Sequence, residues 1–144
     1  MEEREFEETV INIRRISKKT KGGNRIGFSA LVVVGDKKGR VGAGLGKAPD
    51  VRSAIQKSIN YAKKHLLTVP LRKGTIPHRV MVKFGAAKIL LKPAPAGTGI
   101  MAGGTLRTVV EAAGVENIVG KVLGSRNKIN NVYATIKALG KFKI

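Results

Sequence analysis

From Thr9 onward the chain alternates short apolar stretches with polar, glycine-marked breaks. Residues 9–17, TVINIRRIS, are rich in β-branched side chains and predict a strand. Residues 18–24, KKTKGGN, are polar and predict a loop. Residues 25–35, RIGFSALVVVG, alternate and then turn fully apolar, as a second strand would. DKKG at 36–39 predicts a turn, with Gly39 at the position that needs positive φ. RVGAGLG at 40–46 alternates strictly and predicts a third strand. Over 50–66, Val51, Ala54, Ile55, Ile59, Ala62 and Leu66 recur at helical spacing, with Asp50 as N-cap and Arg52, Gln56 and Lys63 on the polar face. This half predicts β-β-β-α.

A break near Val69-Pro70 opens the second half. Strands are expected at 76–84 (IPHRVMVKF) and 87–92 (AKILLK), then a long Gly-rich loop at 93–104. A helix is expected at about 104–113, with Leu106, Val109, Val110 and Ala113 on one face and Gly114 ending it. VENIVGKVLG at 115–124 predicts a strand. The last helix, about 128–139, places Ile129, Val132, Tyr133, Ile136 and Leu139 on one stripe. This half predicts β-β-α-β-α. The fold class is α+β in two small domains, 9–69 and 70–144, behind an acidic tail at 1–8.

Charge changes the picture most. The chain has 28 Lys and Arg against 9 Asp and Glu, a formal net charge of +19. Glu2, Glu3, Glu5, Glu7 and Glu8 hold five of the nine acids, so beyond Thr9 only Asp36, Asp50, Glu111 and Glu116 remain. Such self-repulsion opposes compaction unless a polyanion offsets it, and nucleic acid is the commonest one. No apolar run approaches the roughly 18 residues of a spanning helix, and the acidic start is unlike a signal or transit peptide. There are no cysteines, so disulfides and thiolate metal sites are excluded. The aromatics are Phe6, Phe28, Tyr61, Phe84, Tyr133 and Phe142, too few in sequence to line a base-stacking platform. Phosphates, sugar hydroxyls and duplex shape are the expected targets.

Residues 14–25 hold Arg14, Arg15, Lys18, Lys19, Lys21 and Arg25, with no acid, around Gly22-Gly23. A basic loop of this kind can enter a groove and neutralise several phosphates. On the third strand Gly42, Gly44 and Gly46 form a bare face that admits another backbone, either a partner's or a neighbouring element of this chain. Lys47 precedes the helix start, where an anion is favoured. Val41 and Ala48 stand where a Walker loop needs Gly and Ser or Thr. Gly97, Gly99, Gly103 and Gly104 lead into a helix and could cradle a phosphate, as in some small-molecule kinases. Ala102 breaks the dinucleotide fingerprint, and the second half offers only Glu111 and Glu116 to hold magnesium. Glu111 lies four residues after Arg107, the spacing of a surface ion pair. His65 and His78 lack partners at ligand spacing, so no metal or other cofactor is expected. Ser125, Arg126, Asn127 and Lys128 could cap the last helix, contact phosphate, or do both.

Four stretches together are similar to the ribosomal protein S-five family of the bacterial small subunit. They are KGGNRIGFSALVVVGD at 21–36, RVGAGLGKAPDVRSAIQKS at 40–58, LKPAPAGTGIMAGGTLRTVVEAAGV at 91–115 and GSRNKINNVYAT at 124–135. The resemblance covers nearly all of 9–140. It implies a first domain like a double-stranded-RNA-binding domain without its leading helix. It implies a second domain with a left-handed β-α-β fold shared with some kinases, so a kinase-like Gly loop need not mean kinase activity.

The function implied is structural: a cytoplasmic protein of the small ribosomal subunit that binds its RNA, supports assembly and influences accuracy near the messenger entry path. The implied partners are small-subunit ribosomal RNA and proteins S-four and S-eight, with messenger RNA nearby, no membrane and no small-molecule substrate. The RNA-contacting set is Arg14, Arg15, Lys18, Lys19, Lys21, Gly22, Gly23, Asn24, Arg25, Lys47, Arg52, Ser125, Asn127 and Lys128. A spectinomycin-linked loop maps onto Thr20, Lys21, Gly22 and Gly23. An accuracy-linked protein interface maps onto Gly97, Gly99, Gly103, Gly104 and Arg107. Lys128 stands where members usually have Pro, and many members continue past the position of Ile144 with a C-terminal tail. The start, MEEREFEE, is expected to be mobile or to face a protein neighbour. A free regulatory double-stranded-RNA binder is the alternative, for which the first domain alone would suffice.

Overall fold

A computed structural model describes residues 6–71, 73–124 and 127–140, with only the backbone of residues 18–20, 24 and 25. Among the described residues the first half forms β1 (Glu7–Thr20), β2 (Gly23–Gly35), β3 (Arg40–Ala48), α1 (Val51–Lys64) and β4 (Leu67–Thr68). The strands make one antiparallel sheet in chain order. Asp50 starts α1 by accepting the Ser53 N–H at 3.0 Å, and Lys63 and Lys64 suit the negative end of its dipole.

The bare glycine face of β3 receives α1. A Cβ built on Gly42 would lie 2.5 Å from the Ala62 carbonyl oxygen, and one on Gly46 would lie 2.5 Å from that of Ala54. One on Gly44 would overlap the Ser58 carbonyl. The approach is therefore to a neighbouring element of the same chain, close enough to bury Ala54, Ser58 and Ala62 against the sheet. Val32 pairs with Gly44 and Val34 with Gly42, so both valines share that face and are fully buried beneath α1.

The second half forms β5 (Val80–Phe84), β6 (Ala87–Pro93), β7 (Ile100–Met101), α2 (Gly104–Ala113), β8 (Ile118–Gly124) and α3 (Lys128–Leu139). Its sheet runs β5-β6-β8-β7, with β7 and β8 parallel and joined through α2. The face of the first sheet opposite α1 carries Leu31, Val33, Val41 and Ala43. These join Leu106, Val109 and Val110 of α2, Ile89 and Leu91 of β6, and Val132 and Leu139 of α3 in one continuous core. The layers are α1, first sheet, α2 with α3, second sheet.

Several boundaries differ from the sequence expectation. The loop expected at 18–24 is strand: β1 and β2 stay paired out to Thr20 and Gly23 around a two-residue turn, Lys21-Gly22. No apolar alternation marks this ribbon, and β3 no longer pairs with β2 beyond Phe28. Glu7 and Glu8 belong to β1 rather than to a tail, and Glu7 lies 3.1 Å from Lys37 Nζ. The strand expected from 76 begins at Val80, since Pro77 has no N–H to give to a ladder. The strand expected from 115 begins at Ile118, because the N–H groups of Glu116 and Asn117 both donate to Gly74 O at 2.9 Å. The two-residue strands β4 and β7 carry no periodic signal. Both later helices begin and end as expected, and Gly114 ends α2 in the left-handed region.

Candidate nucleic-acid interface

β3 pairs with β2 only as far as Phe28, whereas β1 and β2 continue. Residues Ile16–Gly27 therefore stand off the sheet as a two-stranded arm, reaching about 15 Å at roughly 3.3 Å per residue. The arm places Lys18 opposite Arg25 and Lys19 opposite Asn24, with Lys21 in its turn and no acidic residue. The side chains of Lys18, Lys19, Thr20, Asn24 and Arg25 lie outside the described residues. Lys21, Gly22 and Gly23 are exposed at the tip, and Gly23 has φ +120°.

The base of the arm is basic on both faces. Arg14 pairs with Ser29, which pairs with Lys47, so Arg14 and Lys47 share the face away from α1. Arg15 pairs with Phe28 on the α1 face. Arg52 is exposed in the first turn of α1, and Lys57 Nζ donates to the Lys47 carbonyl at 3.3 Å. Arg14, Arg15, Lys47 and Arg52 are thereby gathered around one end of the first sheet. Asp50, the N-cap of α1, stands two residues before Arg52, and its carboxylate is held below its ordinary range by the Ser53 N–H and hydroxyl.

The other sequence candidates lie elsewhere. A groove of about 1040 Å³ is lined by Thr9–Ile11 of β1, Gly103 and Gly104 at the start of α2, Lys121 of β8, and Lys128 and Asn131 of α3. From Ile11 to Lys21 the chain runs ten residues, so groove and arm tip are about 33 Å apart along β1. Gly103 caps α2 without a side-chain bond. Asn127 caps α3, its Oδ1 accepting the N–H groups of Ile129 and Asn130 at 2.9 and 3.2 Å. Ser125 and Arg126 lie outside the described residues.

The Gly97 and Gly99 amides are already engaged. Both donate to Asn117 Oδ1, at 3.1 and 2.9 Å, which narrows any phosphate cradle to Gly103 and Gly104. Arg107 Nε meets Glu111 at 2.9 Å, the ion pair expected from their spacing. No group of three potential metal-ligating side chains occurs among the described residues. No described helix is long and apolar enough to cross a membrane.

Two features escaped the sequence reading. Asn117, buried beside the 93–99 loop, also accepts the Thr75 hydroxyl at its backbone carbonyl, at 2.5 Å. Nothing in its sequence neighbourhood announces that role. Lys83, Lys88, Lys92 and Lys121 line the outer face of the second sheet. Their alternation with buried Val82, Ile89 and Leu91 was the available signal.

Fold and surface thus define a class of strongly basic α+β protein, with a cationic β arm on its first sheet and a cationic outer face on its second. Residues 6–70 match the family described as ribosomal protein S5, N-terminal domain, and residues 82–143 match ribosomal protein S5, C-terminal domain. The chain belongs to the ribosomal protein S5 family. The small ribosomal subunit protein uS5 of Thermus thermophilus is 54% identical over 143 residues, covering 99% of this chain and 88% of its own length. Protein uS5 of Thermotoga neapolitana is 54% identical over 135 residues, 94% of this chain and 76% of its own. Protein uS5c of Spinacia oleracea is 54% identical over 135 residues, 93% of this chain and 44% of its own.

Proposed function

We propose that this chain is a structural constituent of the small ribosomal subunit that holds small-subunit ribosomal RNA. The observation that carries the reading of how it does so is the arm Ile16–Gly27, a paired ribbon with Lys18, Lys19, Lys21 and Arg25 and no acid. A two-stranded ribbon can enter a nucleic-acid groove that a flat sheet cannot. Being paired already, it loses less backbone entropy on binding than a disordered loop would. Arg14, Arg15, Lys47 and Arg52 at its base add phosphate contacts, and Ser125, Asn127 and Lys128 add another region.

Residues 9–69, with β1 beginning at Glu7, serve as the arm-bearing domain and 70–144 as the second domain. The chain acts as a scaffold and not as an enzyme. Gly97, Gly99, Gly103, Gly104 and Arg107 face a protein neighbour, S-four, in the region where accuracy is set near the messenger entry path; S-eight is the second neighbour. The tip residues Thr20, Lys21, Gly22 and Gly23 form the spectinomycin-linked element.

Sedimentation of native lysate with quantitative mass spectrometry tests the assignment. One copy per small subunit, retained at moderate salt, is expected. Recovery of the protein away from the subunit, free or on other RNAs, would overturn it in favour of a free RNA-binding regulator.

A further inference from the structure

Six aromatic residues are too few for a stacking platform, but folding stacks three of them and a histidine in two pairs. Tyr61 and His65 stack on the outer surface of α1, ring centroids 4.1 Å apart and planes within 19°. Phe84 of β5 and Tyr133 of α3 stack at 6.0 Å and 25°. Tyr61 is 47% exposed and Phe84 39%. The Tyr61–His65 stack is also fixed in place. His65 Nδ1 lies 2.9 Å from the Tyr61 carbonyl oxygen, which can only accept, so that proton holds the imidazole against the phenol.

The surroundings are cationic. Lys57, Lys64 and His65 flank Tyr61 at helical spacing, and Lys137 follows Tyr133 by one turn. Neither α1 nor α3 contains an acidic residue, while together they carry Arg52, Lys57, Lys63, Lys64, Lys128 and Lys137. Flat π faces held rigid among lysines match the chemistry of an unpaired nucleobase and its flanking phosphates. A protein partner would have to supply acids to match these lysines, whereas every nucleotide brings its own anion.

We propose that the exposed Tyr61–His65 stack binds an unpaired base of a single-stranded RNA segment. This second contact differs in kind from the duplex-directed arm, and it rests on the reading of the chain as an RNA binder.

The chain has no tryptophan and only two tyrosines, Tyr61 and Tyr133, so intrinsic tyrosine emission read in a Tyr133→Phe background reports the stack alone. The full chain is titrated with a single-stranded oligoadenylate and, separately, with a labelled RNA duplex read by anisotropy. The single strand is expected to quench the emission. Tyr61→Leu is expected to weaken single-strand binding by roughly 5- to 100-fold, the range for losing one stacked base, with Tyr61→Phe near wild type and duplex binding unchanged. Single-strand binding equally tight in Tyr61→Leu, with duplex binding intact, would reduce the stack to a surface packing contact on α1 and leave the RNA-binding role standing. Failure of the wild-type chain to bind either RNA would overturn both.

Discussion

The backbone of Lys37, in the turn between β2 and β3, lies directly against Gly114, the residue that ends α2: a Cβ on Gly114 would overlap the Lys37 carbonyl. The same turn donates from Lys37 N to Ala112 O at 3.1 Å and from Gly39 N to Ala113 O at 2.8 Å. The two halves are thus joined by main chain as well as by the shared core. Gly114 also has φ +91°, where a side chain is strained by about 1–3 kcal/mol. Gly114→Ala is therefore expected to lower stability by at least that range, measured by urea unfolding. An unchanged midpoint would show that the joint contributes nothing.

The joint should be acid-sensitive through Asp36. Burial pushes its carboxyl up in pKa, but hydrogen bonds from the Lys38 and Arg40 N–H groups and the Arg40 guanidinium outweigh this and hold it below the ordinary 3.8. A group depressed on folding contributes stability above its unfolded pKa and loses it as pH falls through the folded value. Stability is expected to drop below about pH 3.8 more steeply in the wild type than in Asp36→Asn. Parallel acid-unfolding curves for the two would contradict this.

Glycine matters at Gly44 for contact and not for flexibility. Gly44→Ala drives a methyl into the backbone of α1, where no side chain can rotate away, and is expected to cost about 3 kcal/mol, the upper end for overpacking. Gly22→Ala, with nothing within 4 Å of its Cβ, should leave thermal stability unchanged. Comparable losses at both positions would refute the close-packing account.

Cutting the chain after Pro70 would expose Leu31, Val33 and Val41, each 1% exposed or less. The isolated fragment 1–70 is expected to lose cooperative unfolding and to expose apolar surface to a hydrophobic dye. A fragment that melts cooperatively and binds duplex RNA like the full chain would support an independent first domain.

The helices at 104–113 and 128–139 were legible because each buries one stripe and ends at a residue suited to ending it, Gly114 for the first. The glycine face of β3 was visible, but alternation cannot say whether its visitor is α1 or another molecule. The arm reads as a loop in sequence because periodicity records burial, and its described tip residues, Lys21, Gly22 and Gly23, are exposed. The stack of Phe84 on Tyr133 was invisible for another reason. The two lie 49 residues apart in sequence and meet only through the packing of α3 on β5.

The most direct test of the central claim is the salt dependence of affinity for a small-subunit ribosomal RNA fragment, compared between the wild type and a variant carrying Lys18→Ala, Lys19→Ala, Lys21→Ala and Arg25→Ala. Each phosphate contact contributes about 0.7–0.9 to the slope of log affinity against log salt, so the variant should lose roughly three units. An unchanged slope would mean that the arm touches no phosphate and that the RNA is held elsewhere on the protein.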